Sequence, residues 1–160
     1  MRRSDREIQK ISDKIKIIEK CKHCRLGLAE NNHPYIVPLN YGYSYENEKL
    51  TLFFHSANEG KKIDIMKANN KACFEIDCDT KLIEAENACK HGYEYQSIIG
   101  FGEIIFLETD AEKIDGLNKI MQHQTGEKNN YTFDENAIKK VVVFKMEAEE
   151  FSGKERIVRR

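Results

Sequence analysis

Between Cys21 and Glu30 apolar residues recur at every second position. Cys24, Leu26 and Leu28 alternate with Arg25, Gly27 and Ala29, as in a strand with one face buried. Asn31-Asn32-His33-Pro34 reads as a turn. Tyr35 to Tyr43, with Ile36, Val37 and Leu39, reads as a second strand. Pro38 within it removes a ladder donor and so marks an edge or a bulge. Gly42, Ser44 and Asn47 turn the chain into a third strand, Lys49 to His55. Three strands with short turns predict an antiparallel meander.

The period changes on either side. Ile8, Ile11, Ile15 and Ile18 are spaced by three and four, which predicts a helix over 4–20 capped by Ser4 or Asp5 and laid against a sheet. Ile63, Ile65 and Met66 predict a short helix ended by Asn69 and Asn70. Alternation returns in Lys71 to Asp77, and residues 78–94 are irregular enough to predict a loop or a frayed hairpin. Tyr95 to Leu107 is a long strand, with Gly100 and Gly102 marking a kink or a close approach. Thr109 or Asp110 caps a helix through Ile114, Leu117 and Met121 that ends near Gly126. A polar loop over 127–137 precedes a last strand from Val141 to Phe151. About six strands with peripheral helices predict a mainly β, small closed antiparallel barrel. No Gly-x-Gly-x-x-Gly turn supports a doubly wound sheet.

Composition narrows this picture. The 160 residues suit one domain over 1–160, with 40% hydrophobic and 33% charged residues and a net charge of −1. That balance offers no basic field for nucleic acid. No apolar run is long enough for a bilayer. Five cysteines, irregularly spaced and without a secretory apolar segment ahead of them, predict reduced thiols in a cytoplasmic protein. Cys21-Lys-His-Cys24 lacks the second pair that a zinc site needs, and it follows a helix instead of opening one. It therefore reads as structural, with no metal site expected. His33, His91 and His123 have no partners at ligand spacing and are expected at the surface.

The stretch with chemistry is Phe54 to Lys62, Phe-His-Ser-Ala-Asn-Glu-Gly-Lys-Lys, where a strand feeds a polar turn that opens a helix. A helix N-terminus offers unpaired N–H groups and a positive dipole end. Lys61 and Lys62 oppose that dipole, a placement that makes sense if an anion binds between them. The expectation is a phosphate cradle.

Three blocks in order carry a resemblance. Tyr35-Ile-Val-Pro-Leu-Asn-Tyr-Gly-Tyr, Leu52-Phe-Phe-His-Ser-Ala-Asn-Glu-Gly-Lys-Lys-Ile-Asp and Tyr95-Gln-Ser-Ile-Ile-Gly-Phe-Gly-Glu resemble the FMN-binding split-barrel superfamily of the pyridoxamine-phosphate oxidases. Over roughly 5–155 the chain looks like its Nim-type, nitroimidazole-resistance branch. The resemblance implies a six-stranded antiparallel split β-barrel and a homodimer with FMN at the subunit interface. Transferred by position, Pro38, Leu39, Asn40 and Tyr41 would run along the isoalloxazine ring, with backbone groups meeting its polar edge. His55, Ser56 and Ala57 would lie beside the ribityl chain and phosphate, Lys61 and Lys62 would meet the phosphate, and Ser97 and Ile98 would flank the ring. His55 is the candidate proton donor, against a plain reading as a strand-end histidine. Lys154 in Phe-Ser-Gly-Lys-Glu could reach the flavin of the partner subunit. The cradle has Gly60-Lys61-Lys62 where the oxidases place an Arg-Lys pair, and their arginine-rich C-terminal substrate motif is missing, which argues against vitamin B6 oxidation. The implied activity is an FMN-dependent oxidoreductase of small molecules, of the nitro-aromatic reductase kind. The alternatives are a flavin reductase and a non-catalytic flavin or haem carrier or sensor.

Overall fold

The computed structural model describes residues 3–158. Its strands are β1 (Glu7–Ile8), β2 (His23–Glu30), β3 (His33–Asn40), β4 (Gly42–Glu46), β5 (Lys49–Ala57), β6 (Lys71–Ile83), β7 (Gly92–Phe106) and β8 (Val141–Arg156). Its α-helices are α1 (Ile11–Lys20), α2 (Lys61–Ala68), α3 (Asp110–Thr125) and α4 (Glu135–Lys139). The main sheet runs β3-β2-β6-β7-β8-β5-β4, and every pairing is antiparallel. β1 adds to the far end of β8 through Glu7–Lys154 and Ile8–Gly153.

The two ends of that path, β3 and β4, are separated in sequence by Tyr41 alone. Strands lie about 4.8 Å apart, so a flat sheet would hold its edges nearly 30 Å from each other. One residue cannot span that distance. The sheet must curl until its edges meet at Tyr41, which makes it a barrel. Joining β3 to β4 as one bent strand and setting aside the two-residue β1 leaves the six strands expected. Pro38 lies on the edge strand, opposite Arg25, where its missing N–H costs no ladder bond between neighbouring strands. Both tight hairpins take left-handed central residues, Asn31 (φ 48°) and Asn32 (φ 65°), then Asn47 (φ 51°) and Glu48 (φ 63°), whose twist matches that of the flanking strands.

Inward-facing residues fill the barrel. Leu26, Phe74, Ile98, Leu52, Phe54 and Phe144 are fully buried, and the Phe54 and Phe144 rings stack at 5.3 Å. α1 adds Ile17 and Ile18 to this core, and α2 adds Ile63, Ile65 and Met66. A second, smaller core of Phe53, Leu107, Ile120 and Val143 lies on the outer face beneath α3. The two paired glycines do mark close approaches. A Cβ at Gly100 would collide with the Phe74 ring, and one at Gly102 with the Glu147 carbonyl, beside a register shift.

Three expectations need correction. The first helix starts at Ile11, not at residue 4, because Ile8 is buried in β1 against β8. Ser4 and Asp5 do not cap it; Lys10 precedes it without a side-chain cap, and Asp5 pairs with Arg3 at 2.6 Å. The loop before the last strand holds a fourth helix, α4, capped by Asp134 on the Ala137 N–H at 3.0 Å. His123 is buried: its Nδ1 lies 2.7 Å from the Tyr41 carbonyl oxygen and its Nε2 lies 3.0 Å from that of Glu19. A surface reading missed it because the orphan carbonyls at the end of α1 come from a distant part of the chain. His33 and His91 are exposed, as expected.

Candidate functional site

β5 places the cradle. Leu50, Leu52 and Phe54 face the barrel interior, whereas Phe53 belongs to the outer core under α3. By the same alternation Ser56, paired with Val142, faces inward, and His55, paired with Val143, faces outward. The chain then leaves the sheet through Asn58-Glu59-Gly60 and enters α2. Gly60 is the N-cap at φ 123° and gives no side-chain cap. That conformation suits glycine. The first bonds of α2 run from the Ile63 and Asp64 N–H groups to the Gly60 carbonyl, at 2.8 and 3.3 Å. The N–H groups of Lys61 and Lys62 therefore stay outside the helix's own ladder.

Ser56 is 8% exposed, and its hydroxyl has no hydrogen-bond partner. Buried hydroxyls almost always have one. An unspent donor lies where β5 turns toward an uncapped helix start flanked by two lysines. Lys61 extends over the Tyr35 ring, with its Nζ 5.2 Å from the centroid. The sequence did not signal this contact, since nothing in the order of residues pairs α2 with β3. His55 is half-buried, and burial lowers its pKa. Its imidazole is therefore neutral at pH 7.

The shelf residues divide by face. Leu39 packs against the core, and Tyr41 is wholly buried. The Tyr41 hydroxyl meets the Ile18 and Cys21 carbonyls at 2.6 and 2.9 Å, and the Tyr41 carbonyl accepts from Gln124 at 2.9 Å. Only Pro38 and Asn40 offer side chains outward; Leu39 and Tyr41 have backbone alone to give. The structure joins β3 to the cradle through Lys61 over the Tyr35 ring. It does not bring Ser97 and Ile98 to them. The strand order from Pro38 to Ser97 crosses β2 and β6, a path of about 14 Å along the sheet. The Ile98 side chain is fully buried in the barrel, and Ile99, 47% exposed, is the outward residue.

The Cys21 and Cys24 thiols are buried. Burial pushes the Cys24 thiol up to about 12 and raises Cys21 as well. Cys21 and Cys78 line one cleft of about 530 Å³ with Arg25, Asp77 and Pro38. Among the described residues no group of three His, Cys, Asp or Glu side chains is placed to hold a metal. Likewise, no helix is long and apolar enough to cross a membrane.

The sequence model of the family described as pyridoxamine 5′-phosphate oxidase matches residues 13–155. The chain belongs to this family, and its barrel is the family's split barrel. Within it the chain is similar to a candidate 5-nitroimidazole antibiotic resistance protein from Bacteroides thetaiotaomicron: 30% identical, TM-score 0.78, covering 92% of this chain and 85% of that one. A FAD and haem binding protein from Mycobacterium smegmatis shares the fold at 13% identity, TM-score 0.79, over 94% of this chain and 73% of its own. A FAD-binding protein from Mesorhizobium loti does so at 23% identity, TM-score 0.65, over 93% and 96%. No significant match to a curated protein sequence was found.

Proposed function

We propose that this protein binds a flavin nucleotide through its FMN moiety and serves as an oxidoreductase of small molecules, with nitro-aromatic reduction as the leading activity. The observation that carries the reading is the unpartnered Ser56 hydroxyl beside the uncapped start of α2 and the Lys61-Lys62 pair. A phosphate is an acceptor-rich anion, and it would satisfy a hydroxyl, two amides and two ammonium groups together. The similarity to a candidate nitroimidazole-resistance protein, and the FAD named for two other split-barrel proteins, support the same direction.

The flavin would supply the electron chemistry, and the chain would bind, orient and shield it. Lys62 and the α2 amides would hold the phosphate. Pro38 and Asn40 would support the ring from β3. His55, neutral at pH 7, would offer a hydrogen bond at the substrate side and deliver a proton only in acid. The wide separation of Ser97 from the shelf supports a homodimer in which β7 of a second copy completes the site. Ile99 and Phe101, 47% and 51% exposed on β7, supply apolar surface for that contact.

An absorption spectrum of the purified protein and a titration with riboflavin phosphate test the binding. Lys62→Glu should abolish flavin retention. Anaerobic reduction by NADH or NADPH, then reoxidation by a nitroimidazole, tests the activity. A protein that stays colourless and ignores added riboflavin phosphate would refute the proposal.

A further inference from the structure

Cys21 and Cys78 are distant in sequence and come together where α1 ends against β6. Cys21 is the C-cap of α1. Its N–H donates to the Ile17 carbonyl at 3.0 Å, and its own carbonyl accepts from the Tyr41 hydroxyl at 2.9 Å. Cys78, opposite Gln96, is the last residue of β6 in regular register before the bulge. Phe74 and Ile76 are fully buried, so alternation turns Cys78 inward as well. There it packs against the core cluster that contains Cys21. The next pair of residues is joined too. Lys20 donates to the Asp79 carboxylate at 2.6 Å, and Asp79 takes a left-handed φ of 57° at the bulge.

Both thiols are free, and both line the cleft of about 530 Å³. Cys24, Cys73 and Cys89 do not line it. Burial raises the pKa of Cys21 and of Cys78, and a hydrogen bond between the two thiols raises Cys21 further while lowering Cys78. Cys21 is thus the donor of the pair. Cys78 is the sulfur that carries negative charge more readily, and the Lys20 ammonium favours that charge. Cys78 is also half-buried where Cys21 is buried, so a reagent in the cleft meets Cys78 first.

We propose that Cys21 and Cys78 form a reversible disulfide by exchange with a small-molecule disulfide that enters the cleft, and that the new bond fastens the end of α1 to β6. In the first step the Cys78 thiolate attacks one sulfur of the small disulfide. The S–S bond breaks, a mixed disulfide forms on Cys78, and one small thiolate leaves with the electron pair and takes up a proton. Cys21 then gives up its proton and attacks the Cys78 sulfur, which expels the second small thiol. The two cysteines lose two electrons in all, and the small disulfide gains them as two thiols. The bond closes the chain over residues 21–78, the segment that holds β2 to β5 and α2. This inference does not depend on the flavin reading.

The test incubates the full chain with oxidised glutathione at about pH 8.5, where more of each thiol is ionised, and maps the products without reduction. Wild type should yield peptides linked through Cys21 and Cys78. Exposed Cys89, which has no second thiol beside it, should keep a glutathione adduct. The linked protein should melt about 5–10 °C higher, and dithiothreitol should reverse the gain. Cys78→Ser should retain free Cys21 and show no gain, whereas Cys89→Ser should behave as wild type. The reduced Cys78→Ser protein should melt near wild type, since serine keeps the shape of the side chain. A lasting glutathione adduct on Cys78, a link made through Cys24 or Cys73, or an unreacted Cys78 beside a fully modified Cys89 overturns the proposal. So does a rise in Tm that persists in Cys78→Ser.

Discussion

Replacing Ser56 by alanine should raise the stability of the flavin-free protein and lower its affinity for flavin. In the empty protein the hydroxyl is buried without a partner. Such a group costs about 1–3 kcal/mol. Removing the oxygen also forfeits a few dispersion contacts of about 0.1–0.2 kcal/mol each. The balance favours the variant by about 1 kcal/mol, a rise of about 2–4 °C in Tm for a chain of this size. The sign reverses when phosphate is bound. A hydrogen bond to a charged group contributes about 1.5–3 kcal/mol, so its loss should weaken flavin binding by about tenfold to a hundredfold. Two assays read the two signs: thermal unfolding of the flavin-free protein, and a fluorescence titration with riboflavin phosphate. A variant whose empty form melts lower than wild type, or whose flavin affinity is unchanged, refutes the reasoning.

The other predictions concern the frame around the cradle. Gly42 packs its backbone against that of Lys119 and Ile120 in α3, so Gly42→Ala should cost about 1–3 kcal/mol by urea unfolding; no loss would mean that α3 is not seated there. Tyr41→Phe leaves the Ile18 and Cys21 carbonyls without their shared donor and should cost about 1–2 kcal/mol by the same measurement. Burial holds the folded-state pKa of His55 below its ordinary value of 6.5. Its contribution to stability is therefore complete above pH 6.5 and is lost as pH falls through the lowered folded value. His55→Asn should flatten the acid limb of Tm against pH, and an unchanged limb would place the titration elsewhere. Phe101→Glu puts a charge on the exposed apolar face of β7; it should convert a dimer to monomers in light scattering and weaken flavin binding, and a monomeric wild type would overturn that expectation.

The architecture was legible wherever a short period met a turn signal. Alternation in β2, β5, β6 and β7 located those strands, and Asn31-Asn32 and Asn47 located the tight turns. The α3 start was legible as well: Thr109 caps it, with Glu112 reaching back to the Thr109 N–H at 2.9 Å. The parts of the proposed cradle are local. A strand end, an uncapped turn and a helix start lie within nine residues, and cations at a helix N-terminus oppose the dipole in any fold. The start of α1 misled because Ile8 continues the spacing of Ile11, Ile15 and Ile18, although a strand partner nearly 150 positions away claims it.

The way the expected site residues divide between faces has one cause. A block of sequence is read as a line, but a strand sends successive side chains to opposite faces. Pro38 to Tyr41 looked like four shelf residues, yet alternation leaves two of them to the core. Within Ser97-Ile98-Ile99, Ile98 fills the barrel and Ile99 is exposed. His55 and Ser56 likewise belong to opposite faces of β5, so one ligand group cannot contact both side chains on the same face. A ligand that uses both must cross the strand where it leaves the sheet. In the proposed site that crossing falls at the turn Asn58–Gly60, with the inward Ser56 serving the phosphate and the outward His55 serving a substrate. Contacts between elements were hidden for a related reason. Lys61 over Tyr35 and Asn58 against Lys139 depend on strand order and register, and neither is written in the spacing of residues along a single element.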